Sequence, residues 1–254
     1  MISIKTNTKD ALKQLSELQK SQIPYAQKET LNALAQRAKT GISSAMQRSF
    51  DRPTRWTLNS LRIQYATVQK MQAKVALKDA EYAGKGVPPS SYLNPQIHSG
   101  LRHAKSHELS LRRVLALNSG TFMVPGDGAI LDSFGNMSRG QINKILSYFA
   151  ANRDVGVQSN LTAAQREKKQ KGTKRRAGIS YMVARAGNPQ GLQPGIYERK
   201  HLTIGVAIKP VMIFVKAPYY RKRLAFNEIA ENLVKAHATK EFEYAYYKAI
   251  KTAR

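Results

Sequence analysis

The sequence predicts an α+β fold: an antiparallel β-sheet packed by a long N-terminal amphipathic helix and a C-terminal helix, with a large mixed insertion. Three observations predict it. Leu31, Leu34, Ala38, Ile42, Ala45 and Met46 recur at three- and four-residue steps, the period of one helix face. Residues 61–79 and 179–216 change to two-residue alternation or to short branched apolar runs, as strands require. Near the C-terminus Phe226, Ile229, Ala230 and Leu233 return to helical spacing, and Tyr244, Tyr247 and Ile250 mark a final helix.

In chain order, residues 2–5 alternate as a short strand. Asn7 or Thr8 caps a first helix with Leu12, Leu15 and Leu18 on its edge, ending near Ser21. The long helix opens at Pro24, whose missing backbone donor has no partner in a first turn anyway. It stops near Phe50, because the residue before Pro53 is pushed out of helical geometry. Two strands follow, through Leu61, Ile63 and Tyr65 and through Ala73, Val75 and Leu77, with a turn over 68–72. Residues 81–95 are loop-like through Gly84, Gly86, Pro88, Pro89 and Pro95, and residues 83–86 lack the spacing of a phosphate loop.

Residues 92–100 have no decisive period. Residues 107–117 form a helix with Leu109, Val114 and Leu117 on one face and Leu111 and Leu115 beside it. After an extended piece at 122–125 and a turn at 126–128, Ser138 and Gln141 stand at capping-box spacing. They open a helix carrying Ile142, Ile145, Leu146 and Phe149. Strands are expected at 179–186, from Gly195, at 202–208 and at 211–216, with Pro210 at a bend or a sheet edge. The expected domain organisation is a core of residues 1–91 and 179–254, with 92–178 inserted between the two halves of the sheet.

At 254 residues and 42% hydrophobic content the chain can bury a real core, and disorder by composition is excluded. No apolar run reaches the roughly 18–20 residues of a spanning helix, so no membrane partner is expected. The first residues hold no long apolar stretch, so no secretory signal is expected. The absence of cysteine excludes disulfides, thiol catalysis and cysteine-ligated metal, and fits a reducing cytoplasm. The dominant signal is charge. Forty-two basic and 16 acidic residues give a formal +26, which calls for nucleic acid, an anionic surface or an acidic protein as partner.

No constellation of residues points to catalysis or to a cofactor. His98, His103, His107, His201 and His237 are the five histidines; His103 and His107 are four apart, but no third zinc ligand accompanies them. Asp127 and Asp132 lie in a Gly-rich segment, where turn formation explains them more simply than metal binding. The segment 165–176 carries Arg166, Lys168, Lys169, Lys171, Lys174, Arg175 and Arg176 against one acid, Glu167. It reads as a mobile basic loop, and three readings of its role stay open: phosphate-backbone contact, ordering against a neighbouring subunit, or simple solvation. Tyr219, Tyr220, Tyr244, Tyr246 and Tyr247 offer rings for stacking on bases, suit subunit contact better, and suit core packing best where they share an apolar helix face.

Three stretches carry a resemblance. Phe50-Asp51-Arg52-Pro53-Thr54 with Thr57-Leu58-Asn59-Ser60-Leu61 follows a long helix. Val124-Pro125-Gly126 is followed by Leu131-Asp132-Ser133-Phe134-Gly135-Asn136-Met137-Ser138-Arg139-Gly140-Gln141-Ile142. Lys209-Pro210-Val211-Met212-Ile213-Phe214-Val215 precedes Tyr219-Tyr220-Arg221-Lys222-Arg223-Leu224-Ala225-Phe226. Together, over most of residues 20–254, they resemble neck and tail proteins of long-tailed bacteriophages and prophages, of the minor tail protein Z or tail-completion kind. The resemblance implies a non-enzymatic virion protein, made in the host cytoplasm. It would form a homo-oligomeric ring around the DNA channel, beside the tail terminator, tube or connector. It brings no catalytic residue. The rival expectation is a non-sequence-specific nucleic-acid-binding protein; an enzyme acting through Asp127 or Asp132 ranks third.

Overall fold

The computed structural model describes residues 17–83, 87–152 and 160–252. The strand expected at 2–5, the cap at Asn7 or Thr8 and Gly84–Gly86 lie outside them. The chain is mixed α+β and its sheets are antiparallel. It divides into two compact units, residues 1–100 with 221–254, and residues 101–220.

In the first unit, α1 (Glu17–Ser49) is one continuous helix. This corrects the expected break near Ser21: Pro24 sits inside the helix, which gives up a single donor in a 33-residue element. Leu34, Ala38, Ile42, Ala45 and Met46 are buried, as their spacing predicts, and Leu31 is partly buried. The chain leaves α1 at the expected place. Thr54 then caps the short α2 (Arg55–Leu58), accepting a hydrogen bond from the Thr57 backbone N–H.

β1 (Leu61–Gln64) and β2 (Lys74–Leu77) pair with Leu61 opposite Leu77. α3 (Ala80–Ala83) and α4 (Pro89–His98) follow. They put helix into the 81–95 stretch expected to be loop-like, with Pro89 tolerated in the first turn of α4, and α4 resolves the ambiguous 92–100 stretch as mostly helix. α8 (Phe226–Thr252) is one helix where two were expected, because nothing between Leu233 and Glu241 breaks it. α1 packs against α8 at close range: a Cβ on Gly41 would come within 2.4 Å of Leu233 Cδ1. Ile42, Met46, Leu61, Leu93, Ile97 and Leu224 form the core of this unit. Asn32 ties α1 to the chain after β1. Its Oδ1 accepts from Ala66 N at 2.7 Å, and its Nδ2 donates to Ala66 O at 3.2 Å.

In the second unit the sheet order is β4-β7-β6-β5. Its strands are β4 (Phe122–Pro125), β5 (Gly178–Ala184), β6 (Gly195–Leu202) and β7 (Gly205–Val215). β3 (Gly100–Leu101) and β8 (Tyr219–Tyr220) are a separate two-residue pair. The expected single sheet shared by 61–79 and 179–216 is therefore two sheets, one in each unit. The expected boundaries at 91/92 and 178/179 give way to 100/101 and 220/221. The reason is pairing: β7 takes β4 as its second neighbour, a strand from within the supposed insertion.

β7 also joins the two runs expected at 202–208 and 211–216. Pro210 is accommodated at a register shift against Ile196 and Tyr197, a bulge where a missing N–H costs no ladder bond. α5 (Ser106–Val114) and α6 (Arg139–Tyr148) contribute Leu111, Ile145 and Leu146, which pack with Met123, Tyr181, Ile196 and Met212. The buried side of α5 is the Glu108–Leu111 side; Leu109 and Val114, expected inside, are exposed.

Candidate functional site

Of the seven basic residues singled out in the sequence, Arg166, Lys168, Lys169 and Lys171 lie on a helix and Lys174, Arg175 and Arg176 in the tight turn that follows it. α7 (Ala163–Lys171) is helical, and Thr162 caps it through a reciprocal box with Gln165. The basic content hid a helix whose start signal, Thr162 with Gln165 three residues on, is legible in the sequence. Gly172, at φ 69°, ends the helix in the left-handed region, and a tight turn from Thr173 to Arg176 leads into β5. α7 then packs against β5 through a position that admits no side chain: a Cβ on Gly178 would lie 1.7 Å from Gln170 O.

This arrangement holds the cations outward. Lys168, Lys169, Lys171, Lys174, Arg175 and Arg176 are exposed and Arg166 is half-buried. α7 has no buried residue. Among the described residues one ion pair opposes the cluster, Lys171 with Glu167 at 2.7 Å, four apart on the helix. An exposed pair of this kind contributes little, so the surplus charge stays available to a polyanion. The platform holds phosphate-seeking charge and no base-reading motif.

The other chemically striking cluster is structural. Glu108 is fully buried and ionised between two kinds of donor. Arg102 grips it with Nη1 at 2.8 Å and Nη2 at 2.5 Å. The backbone N–H groups of Lys105 and Met123 donate to it at 2.7 and 2.9 Å. Burial pushes its carboxyl up, and the Arg102 and backbone hydrogen bonds outweigh that and hold it below the usual carboxylate range. Arg102 and Arg112 both lie over the Phe122 ring, at 4.7 and 4.5 Å from its centroid. Next to this cluster, burial and then the Lys105 charge pull His107 down to about 4.

The remaining candidates resolve as follows. His103 precedes α5, so it does not share a helix face with His107. Asp132 Oδ1 accepts from the Phe134 and Asn136 N–H groups at 2.9 and 2.8 Å, which makes it a turn residue. Among the described residues no group of three His, Asp or Glu side chains is placed to hold a metal. Ser138 caps α6, but Gln141 does not close the expected box. Its amide instead bonds Ile130 N and Gly128 O, at 2.7 and 3.0 Å. Tyr244 and Tyr247, on the expected apolar face, are exposed, each at 67%.

The first unit also carries an apolar groove of about 440 Å³. It is lined by Leu31, Leu34, Ala38, Val75, Phe226 and Ala230, among others. Among the described residues no helix is long and apolar enough to cross a membrane. No protein-family model, no curated protein and no solved structure matches this chain.

Proposed function

We propose that this chain is a structural protein of a bacteriophage neck or tail, a tail-completion or head–tail joining component. It forms a homo-oligomeric ring around the DNA channel, next to a terminator, tube or connector protein, and acts without catalysis in the virion. The reading rests on the resemblance carried by residues 50–61, 124–142 and 209–226. The observation that supports it best is the α7 platform, an exposed set of cations on a helix and the turn after it, with almost no acidic counterweight. Such a set neutralises phosphates whatever the base sequence, which suits a protein that meets DNA without reading it.

The same platform favours a second reading, a non-sequence-specific nucleic-acid-binding protein outside any virion. Light scattering on the purified chain, alone and with tail components, separates the two. A ring-sized mass supports the virion reading. A species no larger than a dimer that shifts duplex DNA and ignores tail components supports the second. Replacing Lys168, Lys169, Lys174, Arg175 and Arg176 by Gln should weaken DNA binding and flatten its salt dependence by up to about 4.5 in log–log slope. Unchanged binding would remove the platform from either reading.

A further inference from the structure

We propose that the outer edge of β7, from Gly205 to Lys209, pairs antiparallel with the same edge of a second copy of this chain, about a two-fold axis at Ala207.

The hairpin β6–β7 turns through Thr203 and Ile204, with Leu202 opposite Gly205. β4 pairs with β7 only over Met212–Val215. The next stretch is served by Gly126 N and Gly128 N, which donate to Val211 O and Pro210 O at 3.0 and 2.8 Å. Those bonds fix which way the backbone faces. Pro210 O points away from β6, and the direction alternates along a strand, so Ile208 and Val206 also aim their N–H and C=O groups away from β6. Among the described residues nothing pairs with them. Their side chains are exposed as well: Val206 at 52%, Ile208 at 42%, and Ile204 at the hairpin tip at 96%. An open strand edge carrying branched apolar side chains is a template for another strand.

The sequence of that edge selects a copy of itself. Placed antiparallel about Ala207, Val206 faces Ile208 of the second copy at both symmetry-related positions, and these are the residues whose backbone groups point outward. The pairing closes the ladder and sets β-branched side chains opposite one another. The single charge in the strand, Lys209, then faces Gly205, which has no side chain. The two Lys209 side chains start about 13 Å apart along the paired strands, at roughly 3.3 Å per residue. That exceeds the screening length of about 8 Å at physiological salt, so the chain's basic character does not prevent the contact. The opposite edge of the sheet is less open, because α7 packs on β5. The contact is isologous, unlike the head-to-tail contact a ring needs, and it does not rest on the virion reading.

Because the chain has no cysteine, one introduced thiol reads the contact directly. In the proposed register the two Ala207 form a non-hydrogen-bonded pair, about 4.5 Å apart at Cα, within disulfide range. Ala207→Cys should give a covalent dimer under mild oxidation about tenfold faster than Thr203→Cys, whose thiols the register holds far apart. The double variant V206K/I208K should halve the mass seen by light scattering, from dimer to monomer or from paired rings to single rings. V206K/I208E should restore the parent mass, because each Lys then faces a Glu of the other copy. All of these positions are exposed or half-exposed, and circular dichroism checks that each variant folds. Equal cross-linking of the two cysteine variants, a V206K/I208E of halved mass, or a V206K/I208K that associates like the parent would overturn the proposal. So would an Ala207→Cys protein that stays monomeric while this edge captures a strand from another protein.

Discussion

Glu108 is the residue on which the 101–220 unit depends most. Among the described residues it is the one fully buried carboxylate, and its four hydrogen bonds join α5 to the segment before it and to β4. Removing one partner of a buried ion pair leaves the other charge stranded. Glu108→Ala should therefore cost about 3–5 kcal/mol by chemical denaturation; a loss under about 1 kcal/mol would mean the pair is not dry. The cluster also sets a pH dependence. His107 is held down to about 4, so between its ordinary value near 6.5 and 4 the unfolded chain binds the extra proton and stability falls as pH falls. Glu108 is also depressed, so its contribution is full above the ordinary carboxylate range and is lost below it as pH falls through the folded value. His107→Gln should flatten the melting-temperature profile between pH 6.5 and 4 and leave the decline at lower pH. An unchanged profile would show that His107 titrates as it does in water. In the sequence Glu108 is an ordinary first-turn acid; the Arg102 fork and the Met123 N–H reach it only when β4 is laid beside α5. Asn32 is the same case: nothing in a polar residue on a helix announces that its amide will bond both backbone groups of Ala66.

Among the elements, α1 was the most legible from Leu31 to Met46, where its apolar spacing is sustained; its start was not, because Pro24, which suits a first turn, lies inside the helix. α7 was the least. Its composition, almost free of apolar residues, resembles that of a solvated loop, and its helix rests on a capping box, a C-terminal glycine and the packing of that end on β5. Two substitutions test this account. Thr162→Ala should cost α7 about 1 kcal/mol, seen as faster amide exchange at Gln165 and Arg166 with the global melt little changed. Gly178→Ala forces a methyl into the Gln170 carbonyl and should destabilise the α7–β5 contact by about 1–3 kcal/mol. A neutral Gly178→Ala would mean that α7 is not seated on β5 as described. The α5 helix was placed correctly but turned wrongly. Leu109 and Val114 are more apolar than Glu108, and a period read from hydrophobicity puts the wrong side inward when a salt bridge occupies the core.

For the whole molecule, the formal +26 and the open β7 edge pull in different directions with salt. Binding of duplex DNA through the α7 platform should weaken steeply as salt rises, with a log–log slope near −0.9 per phosphate neutralised. Self-association through the β7 edge is apolar and backbone-driven, so salt should leave it unchanged or strengthen it by screening the like charge of the two copies. Titrating salt from 50 to 500 mM while following DNA binding and mass together separates the two surfaces. Parallel loss of both would place self-association on the charged face.

The sequence by itself determined the long helix with its buried side, the main strands, the C-terminal helical stretch and the excess of basic charge. These follow from local periodicity and composition, which each segment carries with it. Only the tertiary structure decided which strands share a sheet, where the chain divides and which polar side chains are buried. Strand pairing is a choice among distant partners. β7 has branched residues that suit several neighbours, and its pairing with β4 depends on how the chain between residues 126 and 194 folds back. The same choice leaves residues 205–209 beyond the reach of β4, an open edge that no local pattern distinguishes from a buried strand.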